Sequence, residues 1–457
     1  MPTWDQLIRV LTLRDYNTRV VVLGTLFLGS ASGVIGTFMF LRKRALVGDA
    51  ASHAALPGIG LAFIVMASVG GDGKYLPGLL LGAFISGLIG MGFILLIRHF
   101  TRLKEDAALG IVLSVFFGLG ISILGVIQKM NIGHAAGLES FIYGKTASML
   151  AQDAYLMGGA ALVVTLLCGL LFKEFSLLCF DQDFACSQGW PVLFLDTLIM
   201  ALVVAVTVMG LQAVGLILMV ALLIIPPAAA RFWTHHLYKM IFISAAIGSA
   251  SGLLGAALSA LVPRLPAGAI IVLITSSIFL MSLVFGPARG VLSRSIEQWT
   301  LNRKVASQHL LRAMYEWAEI HKNTQKSDDP LKGMTIRDLF GVRSWSHKQL
   351  KRILLRAQRQ GMIYRGGDRT YHFTENGEWQ SKRVVRNHRL WELYLVTHAD
   401  IAPSHVDRDA DQIEHVLERS MVDKLEKLLL SEHPNIGVIP PSPHDIGSKG
   451  LKQRSRK

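Results

Sequence analysis

The stretch Val20–Leu41, VVVLGTLFLGSASGVIGTFMFL, runs 22 residues without a charge and stops at Arg42-Lys43-Arg44. About 20 apolar residues in a helix cross the hydrocarbon of a bilayer, so this run reads as a membrane span. It is too long for the apolar core of a signal peptide, and basic residues stand where a cleavage site needs small ones, so the span is read as retained. Working outward, similar runs recur at 54–70, 76–97, 108–127, 153–172, 193–209, 213–232, 240–262 and 266–286. The expected fold is therefore an all-α polytopic membrane bundle of about nine transmembrane helices, with eight or ten left open by the polar stretch 128–150.

Composition agrees. The 457 residues are 51% hydrophobic and 17% charged, with mean hydropathy +0.43, whereas soluble chains carry about 25% charged residues. The charge is unevenly spread. Residues 1–290 hold 17 Lys/Arg against 12 Asp/Glu, and residues 291–457 hold 29 against 20 together with 10 of the 15 His. A membrane part followed by a basic, polar part is the economical reading. Three cysteines, Cys168, Cys179 and Cys186, support neither a disulfide framework nor a thiolate metal site.

Within the apolar half, Gly82-x3-Ser86-x3-Gly90 and Gly248-x3-Gly252-x2-Gly255 place small residues on one helical face, which lets spans pack closely in lipid. The basic residues Arg42 to Arg44, Arg98, Arg102, Lys104, Arg231 to Lys239, Arg289 and Arg294 fall largely in alternate loops. Those loops are expected on the cytoplasmic side, with the N-terminus outside and residues 287–457 inside.

Polar groups inside spans mark function, because a charge in hydrocarbon is costly unless it faces a cavity or a partner. Asp49 and His53, in GDAASHAALPG at 48–58, are i,i+4 on a helix and share a face. A carboxylate and an imidazole there suit a divalent transition metal; a helix-start cap beside an interfacial His is the other reading. A second polar island, FDQDFACSQG at 180–189, is too polar to cross and too short to fold alone. It reads as a short surface helix ready to dock on a soluble partner, or as a solvated loop. Pro226-Pro227 sit near the end of a span, where kinks line cavities. Gly144-Lys145-Thr146 ends like a phosphate-binding loop, but Glu139 stands where its first glycine would be, and no nucleotide site is found.

Four motifs in order carry a resemblance: Gly48-Asp49-Ala50 with Ser52-His53-Ala54 and Leu56-Pro57-Gly58; Glu105 to Ile111; Asp181-x-Asp183-Phe184-Ala185-x3-Gly189; and Val214-Gly215-Leu216 through Ile225 to Ala230. Over about 15–290 the chain resembles the permeases of bacterial ABC importers for manganese, zinc and iron. The resemblance implies a permease homodimer or heterodimer in the bacterial cytoplasmic membrane, without enzymatic activity or a tightly bound cofactor of its own. It also implies an extracytoplasmic metal-binding lipoprotein that delivers the ion and a separate ABC ATPase subunit. Asp49 and His53 would belong to the metal path. Asp181, Asp183, Phe184, Ala185 and Gly189 would form the segment that docks on the ATPase.

After Gly290 the pattern changes. Residues 296–322 read as an amphipathic helix with Leu310, Met314, Trp317 and His321 in phase, followed by a short helix at 335–340. Ser346 is a good N-cap for a basic helix ending near Gly361, and Tyr364 to Phe373 alternates about a Gly-Gly-Asp turn as a two-stranded wing would. Helix, turn, basic helix and wing over 291–380 form a winged helix-turn-helix arrangement of the DNA-binding kind, although a basic cytoplasmic face can also lie on anionic lipid. Ser346, His347, Lys348 and Lys351 would stand nearest base edges, and Arg352, Arg365 and Arg369 nearest phosphates.

In the segment 381–433, His388 and Glu392 share one helical face, as do Asp411, Glu414 and His415. Nitrogen and carboxylate donors without thiolates suit manganese or iron(II) and admit zinc; a charged exposed face is the plainer alternative. From about 305 to 430 the chain resembles the metal-dependent regulators of the diphtheria-toxin-repressor class. Carried over, that resemblance puts His309, His388, Asp411, Glu414 and His415 at metal-ligand positions, with Glu392 ancillary. Arg312 departs from it, standing where manganese sensors have a carboxylate, and Asp407 stands where iron sensors have a His. The family's last small domain is not found, and the Lys/Arg-rich residues 434–457 are expected to be a disordered tail. Taken together, residues 1–290 read as a metal-importer permease and the remainder as a fused cytoplasmic metal-responsive domain. The alternative is a metal-dependent repressor of promoter DNA, released by proteolysis.

Overall fold

A computed structural model describes residues 9–10, 12, 14–69, 75–129, 144, 149–262, 265–324, 333–343, 345–367, 369–399, 419–432 and 439–442. The chain divides into two compact units, Met1–Ser295 and Ile296–Lys457.

In the first unit, eight described helices are long and apolar enough to cross a membrane: α1 Tyr16–Leu41, α2 Val47–Ser68, α3 Leu76–Phe100, α4 Glu105–Lys129, α5 Ala151–Leu170, α8 Val192–Val214, α10 Leu237–Leu261 and α11 Ala267–Phe285. Two short helices, α6 Phe172–Phe180 and α7 Gln182–Ser187, lie between α5 and α8. The run expected to span at 213–232 is instead the 15-residue helix α9, Leu216–Ala230. At 1.5 Å per residue it extends about 22 Å, short of the roughly 30 Å of bilayer hydrocarbon. Gly215 breaks it from α8, with φ 82° and ψ 171°, a left-handed conformation that a side chain resists.

Packing follows the small residues. On α1, Thr25, Gly29 and Gly33 run antiparallel to Gly252, Gly248 and Ser244 on α10. The Thr25 hydroxyl donates to the Gly252 carbonyl (3.1 Å) and the Ser244 hydroxyl to that of Gly33 (2.7 Å). A Cβ on Gly29 would lie 2.2 Å from the Gly248 oxygen, so these backbones touch. Between α2 and α3, Gly58 meets Gly82 in the same way, and the Ser86 hydroxyl donates to the Ala54 carbonyl (2.6 Å) in the turn where Pro57 removes an N–H. With water absent from the hydrocarbon, such close approach and interhelical hydrogen bonds replace the hydrophobic drive between helices.

The second unit opens with α12, Val291–Thr324, and continues through α13 Ile336–Val342, α14 His347–Arg359, β1 Ile363–Arg365, β2 Tyr371–Phe373, α15 Glu375–His398 and α16 Arg419–Glu432. Thr335, Ser346 and Thr374 cap the three helices that follow them. The strands pair antiparallel with Ile363 opposite Phe373. Leu310, Met314, Leu339, Leu350, Leu354, Ile363 and Phe373 form the core under them. Inside the stretch expected to be disordered, residues 439–442 are described, and buried Pro440 accepts a hydrogen bond from Arg389 (3.1 Å).

Candidate functional site

Asp49 falls in the first turn of α2, which begins at Val47, seven residues earlier than the apolar run alone indicates. Asp49 and His53 are therefore inside the helix. Asp49 Oδ1 and His53 Nε2 stand 3.5 Å apart, beyond ordinary hydrogen-bond length. The imidazole is wedged edge-on against Phe117 of α4, with centroids 4.9 Å apart, and its Nδ1 is buried without a hydrogen-bond partner. Gly48 lets this turn approach α9, since a Cβ there would be 2.7 Å from the Leu223 side chain. Among the described residues no group of three or more His, Cys, Asp or Glu could enclose a metal ion. Two donors alone hold an ion loosely, which suits passage better than storage.

At 180–189 the island forms the helix α7. Asp181 caps it, accepting from the Phe184 amide (2.9 Å), and Gly189 ends the turn at φ 80°. Ala185 is buried, whereas Asp183 and Phe184 are exposed. An apolar side chain held outward on a rigid turn can enter a partner's groove.

Beside α7 lies a charged cluster that pattern reading passes over. Arg42, Arg44, Arg98, Glu105 and Asp196 converge from α3, α4, α8 and the α1–α2 turn. Arg42, Arg44, Arg98 and Glu105 stand out in the sequence only one by one, and Asp196 is an acidic residue within the predicted sixth span. Two of the three basic residues expected to face the cytoplasm at 42–44 are thus in ion pairs, and exposed Lys43 alone points out.

In the second unit, Ser346, His347, Lys348, Lys351, Arg352, Arg365 and Arg369 are all exposed, opposite the buried Leu350, Leu354 and Ala357. His347 also stacks on Phe340, and Arg369 takes a left-handed φ of 57° in the turn between the strands.

His388 and Glu392 are fully buried on α15, with Nε2 and Oε1 3.1 Å apart. Arg312 of α12, itself buried, donates from Nη1 to His388 Nδ1 (3.0 Å) and from Nε to Glu316 (2.6 Å). His309 accepts similarly from Arg343. Asp411, Glu414 and His415 lie outside the described residues. A guanidinium only donates, so His388 Nδ1 is an acceptor and the neutral ring carries its proton on Nε2. A ligating imidazole offers one bare ring nitrogen to the metal, and here Nδ1 is taken by Arg312 while Nε2 faces Glu392. As arranged, His388 and Glu392 do not fit a bound metal.

Residues 14–286 match the ABC 3 transport family. The chain belongs to that family. Residues 374–441 match the iron dependent repressor, metal binding and dimerisation domain. Among its relatives in this transport family is the manganese transport system membrane protein MntC of Bacillus subtilis, 39% identical over 399 residues, covering 87% of this chain and 88% of that one. So many aligned residues cannot fit within 14–286, so the likeness continues into the second unit. The zinc transport system membrane protein TroC of Treponema pallidum is 45% identical over 61% of this chain and 92% of its own. The structure of PsaBC from Streptococcus pneumoniae in complex with Fab superposes at a TM-score of 0.55 and 31% identity, covering 65% of this chain and 99% of that one. A multi-pass permease carrying a repressor-like appendage is what these likenesses and the geometry have in common. The ABC 3 relatives are permease subunits and not themselves enzymes.

Proposed function

We propose that the chain is the membrane permease of an ATP-driven importer for divalent transition metal, with manganese as first candidate and zinc and iron(II) next. The observation that carries this is His53 inside a tightly packed span, with Nε2 3.5 Å from Asp49 and Nδ1 buried without a hydrogen-bond partner. Relatives named for manganese and zinc transport support it. In this reading an extracytoplasmic metal-binding protein delivers the ion, two permease chains of the same or different kind enclose the path, and a separate ATPase docks on Asp181 to Gly189. The N-terminus lies outside and residues 291–457 in the cytoplasm, with α9 making the ninth crossing, because α8 leaves the end of the bundle where Arg44 meets Asp196 and α10, antiparallel to α1, starts again from that end. In proteoliposomes holding the permease with its ATPase, His53→Ala and Asp49→Ala are expected to lower manganese uptake at least tenfold while the ATPase stays bound. Wild-type uptake rates in both variants would overturn the reading.

The second unit is proposed as a regulatory appendage of the same chain, with His309, His388, Glu392, Asp411, Glu414 and His415 as its candidate metal set. Arg312 occupies His388 Nδ1 within that set. One observation favours a second reading, repression of promoter DNA: Ser346, His347 and the five cations Lys348, Lys351, Arg352, Arg365 and Arg369 are all exposed.

A further inference from the structure

Five ionisable side chains meet at one end of the bundle. Asp196 of α8 takes Arg44 Nη1 at 2.6 Å, Arg42 Nη2 at 3.3 Å and Arg98 Nη1 at 3.6 Å. Glu105, the first residue of α4, pairs with Arg44 and lies 3.9 Å from Arg98. The side chains of Arg42, Arg44 and Asp196 are each no more than 6% exposed. Lys43, at φ 60°, makes the tight turn that aims its two arginine neighbours inward.

Three guanidiniums face two carboxylates, so one positive charge is in excess. Arg42 keeps a nitrogen unused, since its Nη1 is buried without a hydrogen-bond partner, and its Nη2 also reaches Gln182 Oε1 on α7 (3.4 Å). The cluster therefore touches α7 through a neutral amide that a small shift would withdraw.

On its other side the cluster holds both helices around the metal pair. The Arg44 carbonyl accepts from Val47 at the start of α2, two residues before Asp49. Glu105 begins the helix whose Phe117 packs on His53. Buried opposite charges in low dielectric form a stiff joint, because pulling any one away leaves the others desolvated and unpaired.

We propose that Arg42, Arg44, Arg98, Glu105 and Asp196 form a positioning joint that transmits displacement of α7 to α2, which carries Asp49 and His53, and to α4, whose Phe117 packs on His53. The proposal rests on the reading that α7 docks an ATPase, and it names Asp196, shared by all three arginines, as the pivot. An ATPase stroke then moves Gln182, Arg42 and Asp196 in turn and reaches α2 and α4 through Arg44 and Glu105.

The test uses the permease reconstituted with its ATPase in liposomes, measuring ATP hydrolysis, manganese uptake and ATPase retention on the same preparation. Asp196→Asn is expected to keep hydrolysis within twofold and the ATPase bound while uptake falls at least tenfold. Asp196→Glu should restore most of the uptake. Gln182→Ala, on the exposed side of the joint, should lower uptake per ATP severalfold with little effect on folding. Wild-type ions transported per ATP in both Asp196→Asn and Gln182→Ala would overturn the proposal. So would parallel loss of hydrolysis, binding and uptake in Asp196→Asn with a normal Gln182→Ala, which would mark the cluster as support for the fold alone. If instead the wild-type complex moves neither manganese nor zinc, the underlying functional reading fails, separately from the joint.

Discussion

Replacing Arg312 should open the second unit to metal. An ion bound on His388 Nε2 would lie about 7 Å from the guanidinium on the other ring nitrogen. At an effective dielectric of about 20, a divalent and a monovalent cation at that distance repel by about 5 kcal/mol, equivalent to about three orders of magnitude in affinity. Glu316, paired with Arg312 at 2.6 Å, cancels part of this, so a gain of tenfold or more is expected. Arg312→Gln removes the charge, frees His388 Nδ1 from the guanidinium, and leaves Glu316 available as a further oxygen donor. The assay is manganese binding to the intact, detergent-solubilised chain by isothermal titration, comparing wild type, Arg312→Gln, and Arg312→Gln with His388→Ala. The gain should appear in the single variant and vanish in the double. Equal affinity in wild type and Arg312→Gln, or a gain that survives loss of His388, would refute the argument that Arg312 closes the site.

Other outcomes follow from packing and exposure. Gly248→Val places a side chain against the Gly29 carbonyl, which a Cβ would approach to 2.1 Å; thermal unfolding in detergent should show a loss of about 1–3 kcal/mol, and an unchanged midpoint would mean that α1 and α10 do not touch as described. Cys186 is exposed on α7, whereas burial pushes the Cys179 thiol up to about 12 and Cys168 is buried in a span. Maleimide at pH 7 should thus label one cysteine per chain, and bound ATPase should slow that labelling about tenfold; labelling unaffected by a bound ATPase would place docking elsewhere. Arg352→Ala with Arg365→Ala should weaken binding of the intact chain to duplex DNA and lower its salt dependence by about two released counterions; an unaltered salt slope would show that these two arginines do not meet phosphate.

The bundle was legible because membrane spans are written locally. An uncharged run such as Val20–Leu41 declares a helix without reference to anything distant, since backbone groups in lipid must bond within their own segment. The small-residue steps at Gly82 and Gly248 likewise announced close packing. The bounds of α2 were less legible: Gly48 to His53 mixes charge with small residues, and only contact with α4 and α9 explains why the helix begins before Asp49 and runs unbroken through Pro57. In the second unit, the Ser346 cap and the Gly361 stop bounded the basic helix from sequence alone, because caps are i to i+3 events.

Sequence by itself determined the membrane class of the first 290 residues, the i,i+4 pairing of Asp49 with His53, the polar island before Trp190 and the two-part organisation. These depend on composition and on spacings within a few turns. Only tertiary structure decided which charges are partners. Arg44 and Asp196 are 152 residues apart, as Arg312 and His388 are 76 apart, and no periodicity links such positions. Arg42 and Arg44, read from the sequence as loop charges, are held by Asp196, and His388, a candidate ligand, accepts from Arg312. The physical reason is common to both: the state and partner of a buried ionisable group are set by whichever opposite charge or donor the fold brings within about 3 Å, and that is a property of the packed chain.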